Sequence, residues 1–266
     1  MNALLLALAP ILSAPEALPP HGPWQVAYEE SMCLAARQFG AKGEVTLAFR
    51  PGPLSDYMEL SIDVPRWPGR LMFRGKADLQ IARGDQRFEA SYEAMGDAGR
   101  AIRAIVVVTR SEVLDRLTDD DVLTVAPQPN GRLAFRLTNL VKLKSALADC
   151  RRTLLRHWGI DVAAVEQVDV PAKPIDGDVQ LITTSDYPAE AARKGVRGTS
   201  NIVWTIGESG GVSDCRTVGS SGSEELDRAA CAAIMRRARY EPARDAKGNA
   251  VKSWQSRRIR WRAFGR

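Results

Sequence analysis

Residues 187–206 read YPAEAARKGVRGTSNIVWTI, and the change of period inside this stretch sets the architecture of the C-terminal third of the chain. Pro188 stands where a first helical turn tolerates a missing N–H. Residues 189–194 continue as a short helix, and Gly195 is placed to end it in the left-handed conformation. From 200 to 206 the pattern becomes alternating, so that Ile202, Trp204 and Ile206 share one face of a strand. Residues 207–211 (GESGG) turn the chain, and 212–218 return it as the second strand of a hairpin. Ser223, followed by Glu224 and Glu225, opens a helix. Leu226, Ala229, Ala230, Ala233 and Ile234 form a narrow apolar stripe along it. After Tyr240-Glu241-Pro242-Ala243 the chain turns at Lys247-Gly248-Asn249, and 251–261 make a last strand. The order is helix, strand, strand, helix, strand, an α+β unit expected to span 181–266.

Upstream, residues 160–180 read as a linker, with VDVPAKPIDGD at 168–178 carrying two prolines and three acids. Residues 24–159 read as a second, mixed α+β domain of unassigned role. Strands are expected at 45–49, 59–64, 71–73, 79–82 and 88–92, with glycines between or beside them. The continuous apolar run 104–109 suits a buried strand. Ser111 is expected to cap a short helix through Leu117. Segments 122–125 and 133–137 flank Pro129-Asn130-Gly131, a hairpin signal. Thr138 is then placed to cap a long helix. Its residues Leu140, Leu143, Leu147, Cys150, Leu154 and Trp158 recur at spacings of three and four, which puts Cys150 on the buried face.

Residues 3–12 are apolar except for Pro10 and lead into Ser13-Ala14 and a proline cluster. Ten helical residues rise about 15 Å, half of a hydrocarbon core, so 1–17 reads as an export signal, with a short anchor as the alternative, rather than a full membrane span. Four cysteines, Cys33, Cys150, Cys215 and Cys231, suit an oxidising compartment. Of their three possible pairings, Cys33–Cys150 with Cys215–Cys231 keeps each bridge inside one expected domain. The latter would staple the second strand of the hairpin to the helix that covers it. None of the four has C-x-x-C spacing, so neither a metal site nor a redox dithiol is expected.

Hydrophobic content of 45% with 26% charged residues is ordinary for a globular protein, and the formal charge is +5. Much of the basic excess falls late, at Arg236, Arg237, Arg239, Arg244, Lys247, Lys252, Arg257, Arg258, Arg260, Arg262 and Arg266. Such a run attracts an anionic partner or simply forms a solvated face. Gly207-Glu208-Ser209-Gly210-Gly211 is similar to the string around a serine-protease nucleophile. A triad also needs a positioned histidine and aspartate, and the two histidines are His21 and His157. A turn accounts for the string. Ser220-Ser221-Gly222 reads as the lead-in and cap of the following helix, Asp119-Asp120-Asp121 as a solvated turn, and Trp24 and Trp67 as core residues. No enzyme activity, catalytic residue or cofactor is expected.

Four strings, YPAEAARKGVRG (187–198), GESGGV (207–212), SSGSEELDRAA (220–230) and RRARYEPARDAKGNAV (236–251), together resemble the C-terminal domain of TonB-family proteins. In that family the domain recognises a short outer-membrane transporter segment, a TonB-box-like peptide, by adding it as a strand to a sheet edge. The resemblance implies an envelope protein, periplasmic or associated with the inner membrane. Its role would be energy coupling for transmembrane transport. The candidate edge is Lys252, Ser253, Trp254, Gln255, Ser256, Arg257, Arg258, Ile259 and Arg260. A proton-motive inner-membrane complex is a further implied partner, nucleic acid is not, and a dimer is left open. Family transducers carry a membrane anchor and a long proline-rich spacer. Here residues 1–17 are too short for that anchor, and a folded domain stands in place of the spacer. A non-transducing periplasmic binding or scaffold protein that reuses the domain is the alternative.

Overall fold

Alternation in the N-terminal half resolves into a run of strands. The computed structural model describes residues 16–67, 71–95, 103–129, 131–175 and 181–262. The expected export signal lies, apart from residues 16 and 17, outside the described residues, as do Asn130 of the hairpin turn and 176–180 of the expected linker. The strands are β1 (Pro20–Glu29), β2 (Met32–Phe39), β3 (Val45–Pro51), β4 (Tyr57–Asp63), β5 (Arg74–Ile81), β6 (Gln86–Met95) and β7 (Ala104–Arg110). A short helix α1 (Glu112–Arg116) follows, then β8 (Val122–Pro127), β9 (Leu133–Arg136) and the long helix α2 (Leu140–His157). Among the described residues these strands form one antiparallel sheet in the order β1-β2-β3-β4-β7-β6-β5-β8-β9. Leu18, just ahead of β1, pairs in parallel with Phe135 of β9. Its N–H donates to the Ala134 carbonyl at 2.8 Å, and its carbonyl accepts from the Arg136 N–H at 3.0 Å. This bridge joins the outermost strands and closes the sheet into a barrel, which covers edges that would otherwise invite foreign strands.

The period of two decides what fills the barrel. Leu47 and Phe49, Leu60 and Ile62, Leu79 and Ile81, Ile105 and Val107, Leu123 and Val125, and Phe135 are fully buried in one apolar cluster. The apolar stripe of α2 joins the same cluster. The helix runs antiparallel to β2 along its inner face: Thr138 sits beside Arg37, Cys150 is bonded to Cys33, and Trp158 donates its indole N–H to the Glu30 carbonyl at 3.2 Å. Arg37 points inward too, and among the described residues it has no carboxylate partner. Its guanidinium lies 5.7 Å from the Trp24 ring and donates to the Thr138 carbonyl and hydroxyl at 3.1 and 2.9 Å. Burial lowers its pKa. Trp24 packs on Phe39 and Phe49, and Trp67 is buried, so both are core residues.

Several local expectations are corrected. Residues 71–73 are not a strand; β5 begins at Arg74. Ser111 makes no cap bond, and the long helix is capped from a distance: the Asp119 carboxylate accepts the Leu140 N–H at 2.6 Å. Asp121, expected in a solvated turn, is 4% exposed and takes Arg83 Nε at 2.9 Å together with the Thr118 N–H at 2.7 Å. The acidic triplet therefore anchors a loop and a helix start. Strands β1 and β2 carry no hairpin signal in the sequence, because WQVAYEESMCLAARQF has no glycine or proline to mark the turn at Glu30-Ser31.

Beyond α2 come α3 (Val162–Glu166), β10 (Lys173–Pro174), α4 (Ala189–Arg193), β11 (Gly198–Ile206), β12 (Val212–Gly219), α5 (Glu224–Arg237), β13 (Tyr240–Glu241), β14 (Ala243–Arg244), β15 (Ala250–Val251) and β16 (Ser253–Trp261). The proline-containing stretch after α3 is pinned along this part of the chain. Val170 bridges to Arg244, and β10 pairs with β13. A three-stranded antiparallel sheet, β12-β11-β16, carries α5 on one face. Ile202, Trp204 and Ile206 share that face with Ile259 and Trp261, and pack with Leu226, Ala230 and Ile234 of α5 in a second core. Cys215 of β12 is bonded to Cys231 of α5. The whole protein is α+β.

Candidate partner-docking edge

Strand β16 lies at one edge of its sheet, with β11 on its inner side. Lys252 is excluded from the strand; it sits between β15 and β16, its ammonium 5.1 Å from the Trp254 ring. The pleat sends Gln255, Arg257 and Ile259 to the α5 side and Trp254, Ser256, Arg258 and Arg260 to the other. Gln255 Oε1 accepts from the Tyr240 hydroxyl at 3.2 Å, and burial pushes the Tyr240 pKa up to about 12, so the phenol stays a donor. Ile259 and Ser253 are buried, and Arg257 is exposed.

The second face of this sheet packs on the barrel. Val203, Val218 and Trp254 join the barrel's apolar cluster. Cross-strand registry places Ala48, Ser61, Val106 and Glu93 in one row on the outer wall of the barrel, with Arg50, Glu59, Val108 and Ser91 in the next. Ala48, Ser61 and Val106 point outward and are nevertheless buried. Beside them Glu59 Oε2 takes Arg260 Nη2 at 2.6 Å and Arg258 Nη1 at 3.4 Å. Glu93 takes Arg260 Nη1 at 3.4 Å and also pairs with Arg262. Three arginines alternate with two glutamates in a ladder between β16 and the barrel. Loss of solvent lowers the Arg258 pKa, and shared carboxylates are what make such burial tolerable.

Much of the late basic run is therefore spent inside the molecule. Arg236 and Arg237 both pair with Asp186, at 2.6 Å each. The Arg237 guanidinium, against the cost of burial and with help from Thr183, holds the Asp186 carboxyl at about 2, from an ordinary value of 3.8. A depressed carboxylate contributes stability that is full above the unfolded value and disappears as pH falls through the folded one. Wild-type protein is thus expected to lose about 2 kcal/mol between pH 4 and pH 2 through this group alone. Asp186→Asn flattens that part of a pH series of urea denaturations; an unchanged slope would remove Asp186 from the account.

The Ser220-Ser221-Gly222 string serves a buried acid. Asp227 of α5 accepts from Ser200 Oγ and Ser220 Oγ at 2.6 Å each and from the Ser221 N–H at 3.0 Å. Burial works to raise its pKa, but these donors more than offset it and hold it below the usual carboxylate range. Trp261 Nε1 donates to Ser200 Oγ at 2.9 Å, so one network ties β16 to β11 and α5. Ser209 sits in a tight turn closed by Gly207 N–H to the Gly211 carbonyl at 2.9 Å.

What sequence reading missed is the barrel's half of the site, namely Leu54, Glu59 and Glu93. They lie 202, 199 and 167 residues from their partners on β16. A lone glutamate in an alternating strand carries no local sign of such a pairing. Among the described residues, no helix is long and apolar enough to cross a membrane. No curated protein matches the chain. Residues 183–263 match the family model described as Gram-negative bacterial TonB protein C-terminal. The match covers the α4-β11-β12-α5-β16 unit whose geometry is described above, and this third of the chain is a TonB C-terminal domain, a family of transport-associated interaction domains.

Proposed function

We propose that this is a non-enzymatic envelope protein that receives an extended segment of an outer-membrane transporter on the free side of β16. The supporting observation is the edge itself. The Ser256 N–H points away from β11, toward Leu54, so by alternation the backbone groups of Trp254, Arg258 and Arg260 face outward as well. Among the described residues these three have no backbone partner on that side. An added strand gains main-chain hydrogen bonds there, and alternate side-chain positions supply selectivity. The opposite edge is less suited. On β12 the register breaks twice, Asp214 has a positive φ of 50°, and Asp214 and Arg216 form an ion pair; bulges and charges of this kind discourage pairing.

A second reading, an adaptor that binds without transmitting force, is favoured by the arginine–glutamate ladder, which holds the docking sheet against the barrel. In both readings the periplasm is the compartment. Titration of the full chain with a synthetic TonB-box peptide, followed by backbone amide exchange, tests the common part. Slowed exchange at Arg258 and Arg260 is expected. Binding that slows only β12 amides would move the site to the other edge, and no binding would remove the transporter reading.

A further inference from the structure

We infer that the barrel supplies a built-in occupant of the docking edge, the loop between β3 and β4, and that β16 accepts a partner strand only when this loop lets go. The inference rests on the strand-addition reading above and names its regulation. The loop takes a backbone donor that an incoming strand would use. Leu54 O accepts the outward Ser256 N–H at 3.3 Å, and the Leu54 N–H donates to Ser256 Oγ at 3.3 Å. Ser256 is the fourth of the nine residues of β16, and β11 leaves it one free backbone donor. A continuous added strand needs that donor.

The loop is not a loose tail lying by chance on the edge. Its Pro53 carbonyl accepts from Arg151 Nε of α2 at 2.6 Å, and the Gly52 N–H closes the turn on the Tyr57 carbonyl at 3.0 Å. Leu54 is 8% exposed and belongs to the barrel core. The loop therefore moves with the barrel, and the barrel is held to the sheet by Glu59 and Glu93 against Arg258, Arg260 and Arg262. Separation exposes the edge and frees three cations beside it together. When only a fraction of molecules has the edge open, the apparent affinity for a strand falls by that fraction.

The test uses the full chain and two variants. Glu59→Gln with Glu93→Gln keeps size and removes both charges that hold the arginines. Ser256→Ala removes only the Leu54 acceptor and disturbs neither core. Amide exchange at Ser256 and affinity for a synthetic TonB-box peptide are read on each. Expected are a rise of about tenfold in Ser256 exchange and in peptide affinity for the double variant, and a smaller parallel rise for Ser256→Ala. Equal peptide affinity in all three proteins overturns the occlusion while the strand-addition reading stands. Unchanged Ser256 exchange in the double variant also overturns it. Absence of peptide binding in every protein removes the strand-addition reading, and the occlusion with it.

Discussion

Replacing Cys33 and Cys150 together by alanine is expected to lower stability by about 4–5 kcal/mol, the largest loss from any bridge in this protein. The bond joins residues 117 apart in sequence, and in the chain-entropy account a loop near that length stabilises by about 4.7 kcal/mol. The second bond joins residues 16 apart, for which about 3 kcal/mol is expected. Both Cys33 and Cys150 are buried, at 2% and 0% exposure, so truncation to alanine also leaves a small void. The burial differs as well. Cys33–Cys150 lies inside the barrel core, where it holds the β1–β2 hairpin to α2, whereas Cys215 and Cys231 are only partly buried against the second core. Guanidinium denaturation of the two double-alanine variants, without reductant, measures both. A larger loss at Cys215–Cys231 would show that the barrel's closure through Leu18 and Phe135 holds the hairpin without help.

Gly210→Ala is expected to destabilise the C-terminal unit by about 3 kcal/mol or more. Gly210 has a φ of +82°, where an L side chain adds about 1–2 kcal/mol. A Cβ there would stand 1.8 Å from the Tyr240 carbonyl oxygen, a backbone atom that cannot rotate aside. The methyl must push Tyr240 out of the core and break its N–H bond to the Gly210 carbonyl, 3.1 Å in the native protein. Overpacking of this kind adds about 1–3 kcal/mol. The neighbouring Gly211→Ala is the control. Its Cβ would meet nothing closer than Ser209 Oγ at 3.6 Å, so a change within about 1 kcal/mol is expected. Thermal denaturation of the pair decides the matter, and similar melting temperatures would refute the steric account. The glycines of GESGG are thus explained by a close backbone crossing, with no role for Ser209 as a nucleophile.

These two sites mark the boundary between what was legible and what was not. The turn at 207–211 announced itself, because glycine and serine between two alternating runs have few other uses. The clash with Tyr240 did not, because thirty positions separate the two residues along the chain. Cys150 could be placed on a buried helical face by its spacing from Leu143, Leu147 and Leu154. That β2 would be the strand opposite it could not, since β1 and β2 are joined by residues without turn character. Local spacing places Thr138 as the cap of α2. The actual cap is Asp119, which reaches Leu140 from another loop.

For the docking site the division is sharper. Local pattern places a last strand at 251–261 with arginines on it, and those arginines suggest either a solvated edge or an acidic partner. The acidic partners found in the structure are Glu59 and Glu93 of the same chain. By itself the sequence determined the helix–strand–strand–helix–strand order, the turn at 207–211 and the apolar faces of β11, α2 and α5. Each of these depends on residues a few positions apart, where backbone sterics and side-chain spacing decide. The closed barrel, the covered second face of β12-β11-β16 and the loop on the edge of β16 were decided only by the tertiary structure. They arise from pairing between surfaces up to two hundred residues apart, where many alternating strands carry equivalent patterns and only three-dimensional packing chooses among them.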